Sequence, residues 1–375
     1  MNKAIHDDAL AKSALILKQW CIEKALPNWK QHAQRHDNSW VEHLNLDGSP
    51  DLTAERRWRV LARQVYVYAK ADDLGWYDGL ETAENTYHKM KTVGWQHRVN
   101  AEGEITNDMR DLYDHAFYIL AASSLYAATQ NIQYLRDAEA LLAWIETSLK
   151  HPSGGWKENN LSSNSDSRRQ NPHMHLLEAS LFLYSVTKDP AHLEPAKKVF
   201  ALFKDFFFDN GTISEFFKFD WRLMSSEKGQ TAEPGHAMEW IWLLGQYQKA
   251  TNETVTSYQH ALYSRSLKQR SYFLHDEENK SGDVRRNTTR LWVQTEVIKA
   301  HLAMAELGAP GAKDMAAASI SALFPIFLTA DGYWNDQINR SYENIANTIP
   351  VSTFYHILCM AAEAERIAQK LRASK

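Results

Sequence analysis

Apolar residues recur along most of the chain at the spacing of one face of a helix. Between Gln133 and Lys150 they return every three or four positions, and most charged residues lie between them. Long stretches that alternate apolar and polar residues, as half-buried strands do, are scarce. The pattern therefore predicts an all-α chain. The predicted helices are Ala9–Leu26, Ala62–Ala69, Tyr113–Ala128, Gln133–Lys150, His175–Thr187, Glu194–Phe208, Met238–Lys249, Tyr258–Leu274, Leu291–Leu307, Met315–Phe327 and Phe354–Leu371.

Long polar segments separate the predicted helices. Loops of about 20 residues are uncommon in a compact domain and usually carry function. Glycine and proline, with 15 and 10 residues among 375, reach only about half of their usual share of roughly 12%, which fits a helical chain. The predicted loops are residues 75–111, 151–170, 209–233, 275–289 and 330–348.

A distinctive residue stands near the start of the helix after each loop. These markers are 52 to 64 positions apart, which is room for one helical hairpin and one long loop. Hairpins repeated at a nearly fixed period form an array or a ring. Because the markers share one phase of the repeat, we predict a closed (α/α)6 barrel of six hairpins, with the long loops at the active-site end. It would form one catalytic domain over residues 1–375, and an open helical array is the alternative. The markers are Arg63, His115, His175, His236, Trp292 and His356.

Composition narrows the classes of function. The 42 Lys and Arg residues against 46 Asp and Glu give a net charge of −4 with no basic block, so nucleic-acid binding is not expected. Asp7 and Lys12 interrupt the segment where a signal peptide would need an apolar run, and the longest clean apolar stretch, Ala322–Leu328, is too short to cross a bilayer. The only cysteines, Cys21 and Cys359, build no disulfide framework. We therefore expect a cytoplasmic protein that binds neither nucleic acid nor membrane.

The segment around His175 opens a predicted helix, with Asn171 as its cap and Pro172 in its first turn. On this helix Asn171, His175 and Glu178 lie on one side, whereas His173 and His175 cannot share a face. His175 and Asn171 are therefore candidates for a pocket. The alternative is that Asn171 only caps the helix and His175 is a hydrogen-bonded core residue.

Pro234 begins another predicted helix, on which His236 and Glu239 are neighbours at i and i+3. A carboxylate beside an imidazole orients the ring, and the positive end of a helix favours the neutral ring that general-base chemistry needs. We therefore expect His236 to be a neutral base oriented by Glu239; an ordinary pair at a helix start is the alternative. His356 follows Pro350 by about two turns, where the helix dipole is weaker.

Three histidines on three such helices indicate one shared site. With Glu239 or Glu178 they could hold zinc or manganese. The chain has no HxxxH spacing among them, so each ligand would come from a different hairpin. We therefore expect no metal and no other cofactor.

Aromatic and amide groups stand at matching phases of the repeat. Sugar sites combine rings that stack on the C–H faces of a pyranose with polar groups that bind its hydroxyls. The alternative is the core of a tryptophan-rich barrel, with Arg63 in a structural ion pair. The predicted substrate-binding residues are Arg63, Asn171, Tyr113, Trp292 and Gln294.

Five segments in order along the chain resemble motifs of the N-acylglucosamine 2-epimerase superfamily, and most of all its bacterial D-mannose isomerase branch. They are ARQVYVYA, NPHMHLLEA, EPGHAMEW, RLWVQTE and IPVSTFYH. The resemblance implies an (α/α)6 barrel that interconverts free sugars with neither metal nor nucleotide in the chemical step. It places the family's sugar-contacting and catalytic residues at Arg63, Asn171, His175, His236, Glu239 and His356, and its aromatic positions at Tyr113 and Trp292.

The resemblance implies an isomerase that interconverts D-mannose and D-fructose, or D-lyxose and D-xylulose, through an enediolate. In this hypothesis His175 assists ring opening, and His356, or else His236, removes the C2 proton. Arg63 and Asn171 stabilise the oxyanion. We expect a monomer or weak homodimer whose partner is a free monosaccharide.

Other functions remain open at this point. A 2-epimerase of N-acetylated sugars or disaccharides would use the same histidines, and a phosphorylated or sulfonated (sulfoquinovose-type) sugar is another possible substrate. A glycoside hydrolase would need two carboxylates across the pocket, for which Glu239 with Asp220 or Glu215 is the best pair. A barrel that binds sugar without catalysis is the remaining alternative.

Overall fold

The computed structural model describes residues 8–267 and 273–373, and helices account for most of them. Thirteen α-helices lie in these residues. They are α1 (Ala9–Trp20), α2 (Leu26–Ala33), α3 (Arg59–Asp73), α4 (Leu80–Val93), α5 (Leu112–Thr129), α6 (Ile132–Trp144), α7 (Gln170–Thr187), α8 (Glu194–Leu202), α9 (Pro234–Thr251), α10 (Thr256–Ser266), α11 (Leu291–Glu306), α12 (Ala312–Ile326) and α13 (Phe354–Ala373).

Short turns of other helical types extend several of these helices. The π-helical turn Cys21–Ala25 joins α1 to α2, and the π-helical turns Ile145–Leu149 and Phe203–Phe207 continue α6 and α8. The 3₁₀ turn Val351–Thr353 leads directly into α13. The predicted helices Gln133–Lys150 and Glu194–Phe208 are therefore continuous in space, although their last turns are wider than an α-helix.

Six helices form a closed inner ring. Each of α3, α5, α7, α9, α11 and α13 packs against the next, and α13 packs against α3. An outer helix covers each of them: α4 covers α3, α6 covers α5, α8 covers α7, α10 covers α9, α12 covers α11, and α1 covers α13. Because the inner helices have neighbours on all sides, they are buried around most of their circumference. The predicted all-α (α/α)6 barrel is confirmed, and the ring is closed rather than open.

Across residues 8–267 and 273–373, fourteen strands of two or three residues lie in the loops. They are β1 (His43–Leu44), β2 (Arg56–Arg57), β3 (Arg98–Val99), β4 (Ile105–Asn107), β5 (Arg168–Arg169), β6 (Phe208–Asp209), β7 (Thr212–Ile213), β8 (Phe216–Phe217), β9 (Thr231–Ala232), β10 (Glu277–Asn279), β11 (Val284–Arg286), β12 (Thr289–Arg290), β13 (Gln337–Ile338) and β14 (Ile349–Pro350). Such short strands carry too few residues for an alternating pattern to be visible in the sequence.

Antiparallel pairs of these strands tie together the loops in front of neighbouring inner helices. The pairs are β2 with β3, β5 with β8, β9 with β10, β12 with β13, and β14 with β1. A single bridge between Asp111 and Asn159 joins the remaining two loops, in front of α5 and α7. The starts of the inner helices therefore surround one mouth whose rim is hydrogen-bonded all the way round.

The prediction of one long loop over residues 75–111 is wrong, because α4 lies within it. The buried face of α4 consists of Thr82, Ala83, Thr86, Tyr87 and Met90. Small and hydroxyl-bearing residues give a weak apolar stripe, so the helix is hidden in the sequence although it packs well.

Two points remain: where the outer helix α10 ends, and whether a described helix could cross a bilayer. The helix α10 ends at Ser266, and the predicted helix Tyr258–Leu274 partly falls on residues 268–272, which lie outside the described residues. None of the described helices combines the length and apolar character that a membrane-spanning helix needs.

Candidate active site

A cavity of about 340 Å³ opens at the mouth formed by the starts of the inner helices. Eight of the predicted site residues line it: Arg63, Tyr113, Asn171, His175, His236, Glu239, Trp292 and His356. They come from all six inner helices, because each helix contributes residues near its own N-terminal end. The predicted site residues therefore share one phase of the sequence repeat because they lie at a similar depth in the barrel.

Each of the three histidines in the cavity has its own carboxylate partner. His175 Nδ1 lies 3.0 Å from Glu178 Oε2, His236 Nδ1 lies 3.0 Å from Glu215 Oε1, and His356 Nδ1 lies 2.9 Å from Glu296 Oε1. An ionised carboxylate only accepts, so Nδ1 donates in each pair and Nε2 is left for the cavity.

His356 is set up as a neutral base. Burial, together with the positive charges of Arg63 and Lys299, lowers the pKa of His356 well below its ordinary value. Burial raises the pKa of Glu296, and Lys299 Nζ, which lies 2.7 Å from its second oxygen, opposes this rise. At neutral pH the Nε2 of His356 therefore carries a free lone pair.

His175 is also neutral, because burial lowers its pKa in spite of the adjacent Glu178. Glu178 accepts from His175 and, with its other oxygen, from the hydroxyl of Tyr355. These hydrogen bonds outweigh the effect of burial and hold the pKa of Glu178 at about 2. The ring of His175 is further fixed by Tyr113 and Phe117, whose ring centroids lie 4.8 and 4.9 Å away.

His236 has the opposite charge state, and the expectation of a neutral base is wrong here. Burial opposes the charged ring, but the carboxylates of Glu215 and Glu233 raise the pKa of His236 to about 9. Its orienting partner is also not Glu239, because the Nδ1 of His236 bonds to Glu215. Glu215 in turn accepts from Gln170 Nε2 at 2.9 Å, which holds the carboxylate in place. His236 is therefore an imidazolium, which can donate a proton.

Glu239 lines the cavity as a carboxylic acid. Burial and the neighbouring Glu296 raise the pKa of Glu239 well above its ordinary value. Its Oε1 is buried and has no hydrogen-bond partner among the described residues. Glu239 also lies within 4.8 Å of ligand-type atoms on both His175 and His356. It is therefore placed between the two neutral histidines, with a group free for a sugar hydroxyl.

Polar groups on the opposite wall are also unsatisfied. Asn171 is not the helix cap that the sequence predicts. The helix α7 begins at Gln170, and Arg169 is at the cap position. The Oδ1 of Asn171 and the Nε of Arg63 are buried without partners among the described residues. Arg63 otherwise donates to Tyr113 Oη at 2.7 Å and to the carbonyl of Ser352 at 3.1 Å. A polyhydroxylated ligand can satisfy both free groups.

Trp292 lies between the two histidines of opposite charge. Its ring centroid is 5.4 Å from that of His236 and 5.7 Å from that of His356. A flat indole between the two imidazoles provides a surface for the C–H face of a sugar. Its packing also fixes the separation of the acid and the base.

Gln294 does not line the cavity. Its amide oxygen accepts from the Leu274 N–H at 3.2 Å, and its amide nitrogen donates to the Leu274 carbonyl at 2.9 Å. His115 is also turned away from the cavity: its Nδ1 bonds to the carbonyl of Asp111, and its ring stacks on Trp144. The structure therefore uses these two residues to hold a loop and a helix start.

The carboxylates proposed for a hydrolase do not face each other. Asp220 pairs with Arg222 at 2.6 Å, and neither residue lines the cavity. Glu215 is committed to His236 and Gln170. Neither of the two predicted pairs therefore places two carboxylates on opposite sides of the cavity.

Within the described part of the chain, three groups of side chains bring possible metal-ligating atoms within 4.8 Å of one another. In each group one nitrogen of the histidine is already hydrogen-bonded to a carboxylate, so only its Nε2 is available to a metal. The groups are His175 with Glu178 and Glu239, Glu215 with Glu233 and His236, and Glu239 with Glu296 and His356.

Two carboxylates behind the cavity wall and several residues that line it were not predicted in the roles they have in the structure. Glu296 shares a helix face with Trp292 at i+4, a spacing that could have indicated it. Glu215 comes from the loop that carries β7 and β8, where no periodicity points to its partner. The others surround the mouth: Arg57, Glu233, Arg290, Asp336, Pro350, Ser352 and Thr353.

Comparison with known proteins agrees with this architecture. Residues 40–360 match the family N-acylglucosamine 2-epimerase (GlcNAc 2-epimerase). A protein of Rhizobium meliloti (strain 1021) named mannose-6-phosphate isomerase is 31% identical over 391 residues, which covers 95% of this chain and 97% of that protein.

Two solved structures share the fold. Cellobiose 2-epimerase from Spirochaeta thermophila DSM 6192 has a TM-score of 0.89 at 19% identity, covering 98% of this chain and 99% of that one. A D-mannose isomerase has a TM-score of 0.82 at 18% identity, covering 94% and 97% of the two chains. The match to the family model over most of the length, and the relative that is 31% identical, show that the chain belongs to the N-acylglucosamine 2-epimerase family and is a carbohydrate isomerase.

Proposed function

We propose that this enzyme interconverts free D-mannose and D-fructose, and the related pair D-lyxose and D-xylulose, by histidine acid–base catalysis. The observation that carries the proposal is the pairing of each cavity histidine with its own carboxylate at Nδ1. One cavity therefore holds a neutral base, His356, and a charged acid, His236, on either side of Trp292.

The first step is ring opening, in which His175 accepts the proton of the anomeric hydroxyl, the bond between C1 and the ring oxygen breaks, and His175 passes the proton to the ring oxygen. His356 Nε2 then removes the C2 proton, and the electron pair forms the C1=C2 bond of an enediol. As negative charge develops on O1, the imidazolium of His236 donates its proton there. Arg63 and Asn171 stabilise the charge during this transfer.

The ketose forms when the two protons move in the opposite sense. The now neutral His236 takes the proton of the O2 hydroxyl, a C2 carbonyl forms, and His356 returns its proton to C1. Both histidines thereby recover their starting charge states. Each acid–base role contributes a rate factor on the order of 10²–10⁴.

The charges at the mouth favour a sugar without a phosphate group. Arg57 is paired with Glu42, and Arg290 lies 3.2 Å from Asp276 and 3.4 Å from Glu233. A phosphate would need free guanidinium groups, but both are paired, and Asp276 is fully buried, so displacing it from Arg290 would leave an uncompensated buried charge. We therefore propose the free monosaccharide, although the relative from Rhizobium meliloti has mannose 6-phosphate in its name.

The test is incubation with D-mannose in D₂O, with mannose 6-phosphate and N-acetylglucosamine in parallel reactions. We expect D-fructose that carries deuterium at C1, because the proton held by His356 exchanges with solvent. Glucose as the main product would favour the epimerase, in which the protonated form of a second group delivers a proton to C2 from the other face. Faster turnover of the phosphorylated or N-acetylated sugar would overturn the choice of substrate.

A further inference from the structure

The barrel contains a second cavity at its other end. It has a volume of about 540 Å³ and is lined by residues of α3, α5, α7, α9 and α13. Four of its lining residues each follow a residue of the sugar cavity by three positions on the same helix. These pairs are Arg63 and Tyr66, His175 and Glu178, Glu239 and Trp242, and His356 and Cys359. One helical turn therefore separates the two cavities along the barrel axis.

The walls of the second cavity are apolar and aromatic. Leu120, Leu181 and Leu243 are buried within it, and the ring of Phe182 packs edge-on against Tyr66 with centroids 5.9 Å apart. A volume of this size with apolar walls and few polar groups is typical of small-molecule sites, which range over roughly 300–1,000 Å³. The sugar cavity, in contrast, is lined mostly by charged and hydrogen-bonding groups.

The rim of the second cavity carries cations from four inner helices: Lys70, Lys188, Lys249 and Arg366. Lys188 is exposed, its ammonium lies over the ring of Tyr184, and it forms no ion pair with a carboxylate among the described residues. Lys249 and Arg366 share Glu306, which lies outside the lining, and Arg366 also pairs with Glu363, which lies inside it. Partly exposed ion pairs of this kind are worth little, so an anionic ligand can replace one partner at small cost.

Two groups in the wall connect this cavity with the catalytic layer. Glu178 lines the second cavity and at the same time holds His175. The Trp242 ring covers the ammonium of Lys299 at 4.0 Å, and its buried indole N–H has no acceptor among the described residues. The wall thus offers an unused hydrogen-bond donor beside an apolar interior.

We propose that this end of the barrel is a second ligand site, distinct from the sugar cavity, for a small organic anion with an aromatic or branched apolar body. The apolar walls take the body, and the basic rim takes the anionic group, with Lys188 as its free cation. The site goes beyond the proposed function, and the variants that fill the cavity test it whichever sugar the enzyme converts.

The test uses the fluorescent aromatic sulfonate 8-anilinonaphthalene-1-sulfonate on the full chain. We expect saturable binding of one molecule per chain that a saturating concentration of D-mannose does not displace. Naphthalene-1-sulfonate should compete about tenfold better than the neutral 1-naphthalenemethanol, which is about 1.4 kcal/mol of preference for the anion. Lys188→Glu should weaken binding of the fluorescent anion about fivefold, by reversal of one rim charge.

Occlusion of the cavity provides the decisive variants. Ala362→Trp on α13 and Ala250→Trp on α9 fill it from different walls and should each remove saturable binding. Ala318→Trp, at an exposed position of α12, adds the same side chain elsewhere and should leave binding unchanged. Two occluding variants are used so that one remains informative if the other fails to melt cooperatively. Equal binding by an occluded, folded variant, displacement by mannose, or equal competition by the neutral analogue would each overturn the proposal.

Discussion

The two sides of the sugar cavity use the same device, a histidine held by a carboxylate, and reach opposite charge states. On the α9 side, His236 faces Glu215 and Glu233, and its pKa rises to about 9 in spite of burial. On the α13 side, His356 is held by Glu296, but burial together with Arg63 and Lys299 lowers its pKa. The difference lies in the second neighbour of each ring: another carboxylate on one side and cations on the other.

This comparison shows that the position of a histidine on its helix does not decide its protonation. His236 lies in the first turn of α9, where the helix dipole alone would favour the neutral ring by about 0.3–1 kcal/mol. A shift from the ordinary value to about 9 is worth more than that, since one pKa unit is about 1.4 kcal/mol. The carboxylate from the β7–β8 loop therefore overrides the dipole.

Removal of the base on the α13 side should have the largest effect. His356→Gln keeps a polar side chain but cannot accept the C2 proton, so we expect kcat to fall by a factor on the order of 10²–10⁴ with little change in KM. Steady-state kinetics with D-mannose measures this. His260→Gln, at an exposed histidine of α10, is the matched control and should behave as wild type. Wild-type turnover in a folded His356→Gln enzyme would contradict the assignment of the base.

Replacing the carboxylate of Glu215, which holds His236, by a neutral amide should have an intermediate effect on activity. In the wild type, activity requires neutral His356 and protonated His236. It should therefore rise as His356 loses its proton well below pH 6.5 and fall as His236 loses its proton near pH 9.

Glu215→Gln removes the charge that raises the pKa of His236, so the alkaline limb of the kcat profile should move to lower pH by at least about one unit. At pH 8 a one-unit shift lowers the protonated fraction of His236 from about nine-tenths to about one half, a loss of activity of about twofold. Asp220→Asn, in the same loop but paired with Arg222 outside the cavity, should leave the limb in place. An alkaline limb that is the same in Glu215→Gln and wild type would show that His236 is not the titrating acid.

Removal of metal ions with a chelator should have the smallest effect on turnover, because side chains of the protein already supply the charges that catalysis needs. Each histidine donates its Nδ1–H to a carboxylate, and Lys299 supplies the positive charge beside Glu296. We therefore expect unchanged kcat and KM after dialysis against EDTA, and no gain from added Zn²⁺ or Mn²⁺. Loss of turnover that Mn²⁺ restores would mean that a metal bridges the two sides of the cavity.

The inner helices could be predicted because they are long and rich in apolar residues that are buried on most sides. The helix α4 was missed for the opposite reason, since threonine and alanine form much of its buried face. The site residues on helix starts, such as His175 and His356, could be predicted because their phase repeats along the chain. Gln294 has a suitable phase and residue type as well, yet its amide is used by the backbone of Leu274.

The partners of the histidines could be predicted only where they share a helix. Glu178 lies one turn from His175, so the sequence spacing brings them together. Glu215 reaches His236 from a loop, and Glu296 reaches His356 from the neighbouring inner helix. No local pattern in the sequence reveals such contacts between distant residues. Because these contacts help to set the charge states of His236 and His356, those charge states could not be predicted either.

The contact between α1 and α13, which joins the two ends of the barrel, has a consequence for biosynthesis. The helix α1 covers α13. The first described helix to leave the ribosome therefore cannot pack on its inner partner until the last helix has been synthesised. Until then the apolar stripe of α1, with Leu10, Ala14 and Leu17, has no inner partner. A contact of such long sequence separation forms late and leaves nascent chains open to aggregation. Premature termination before residue 354 would therefore yield an unsealed ring that also lacks its proton acceptor.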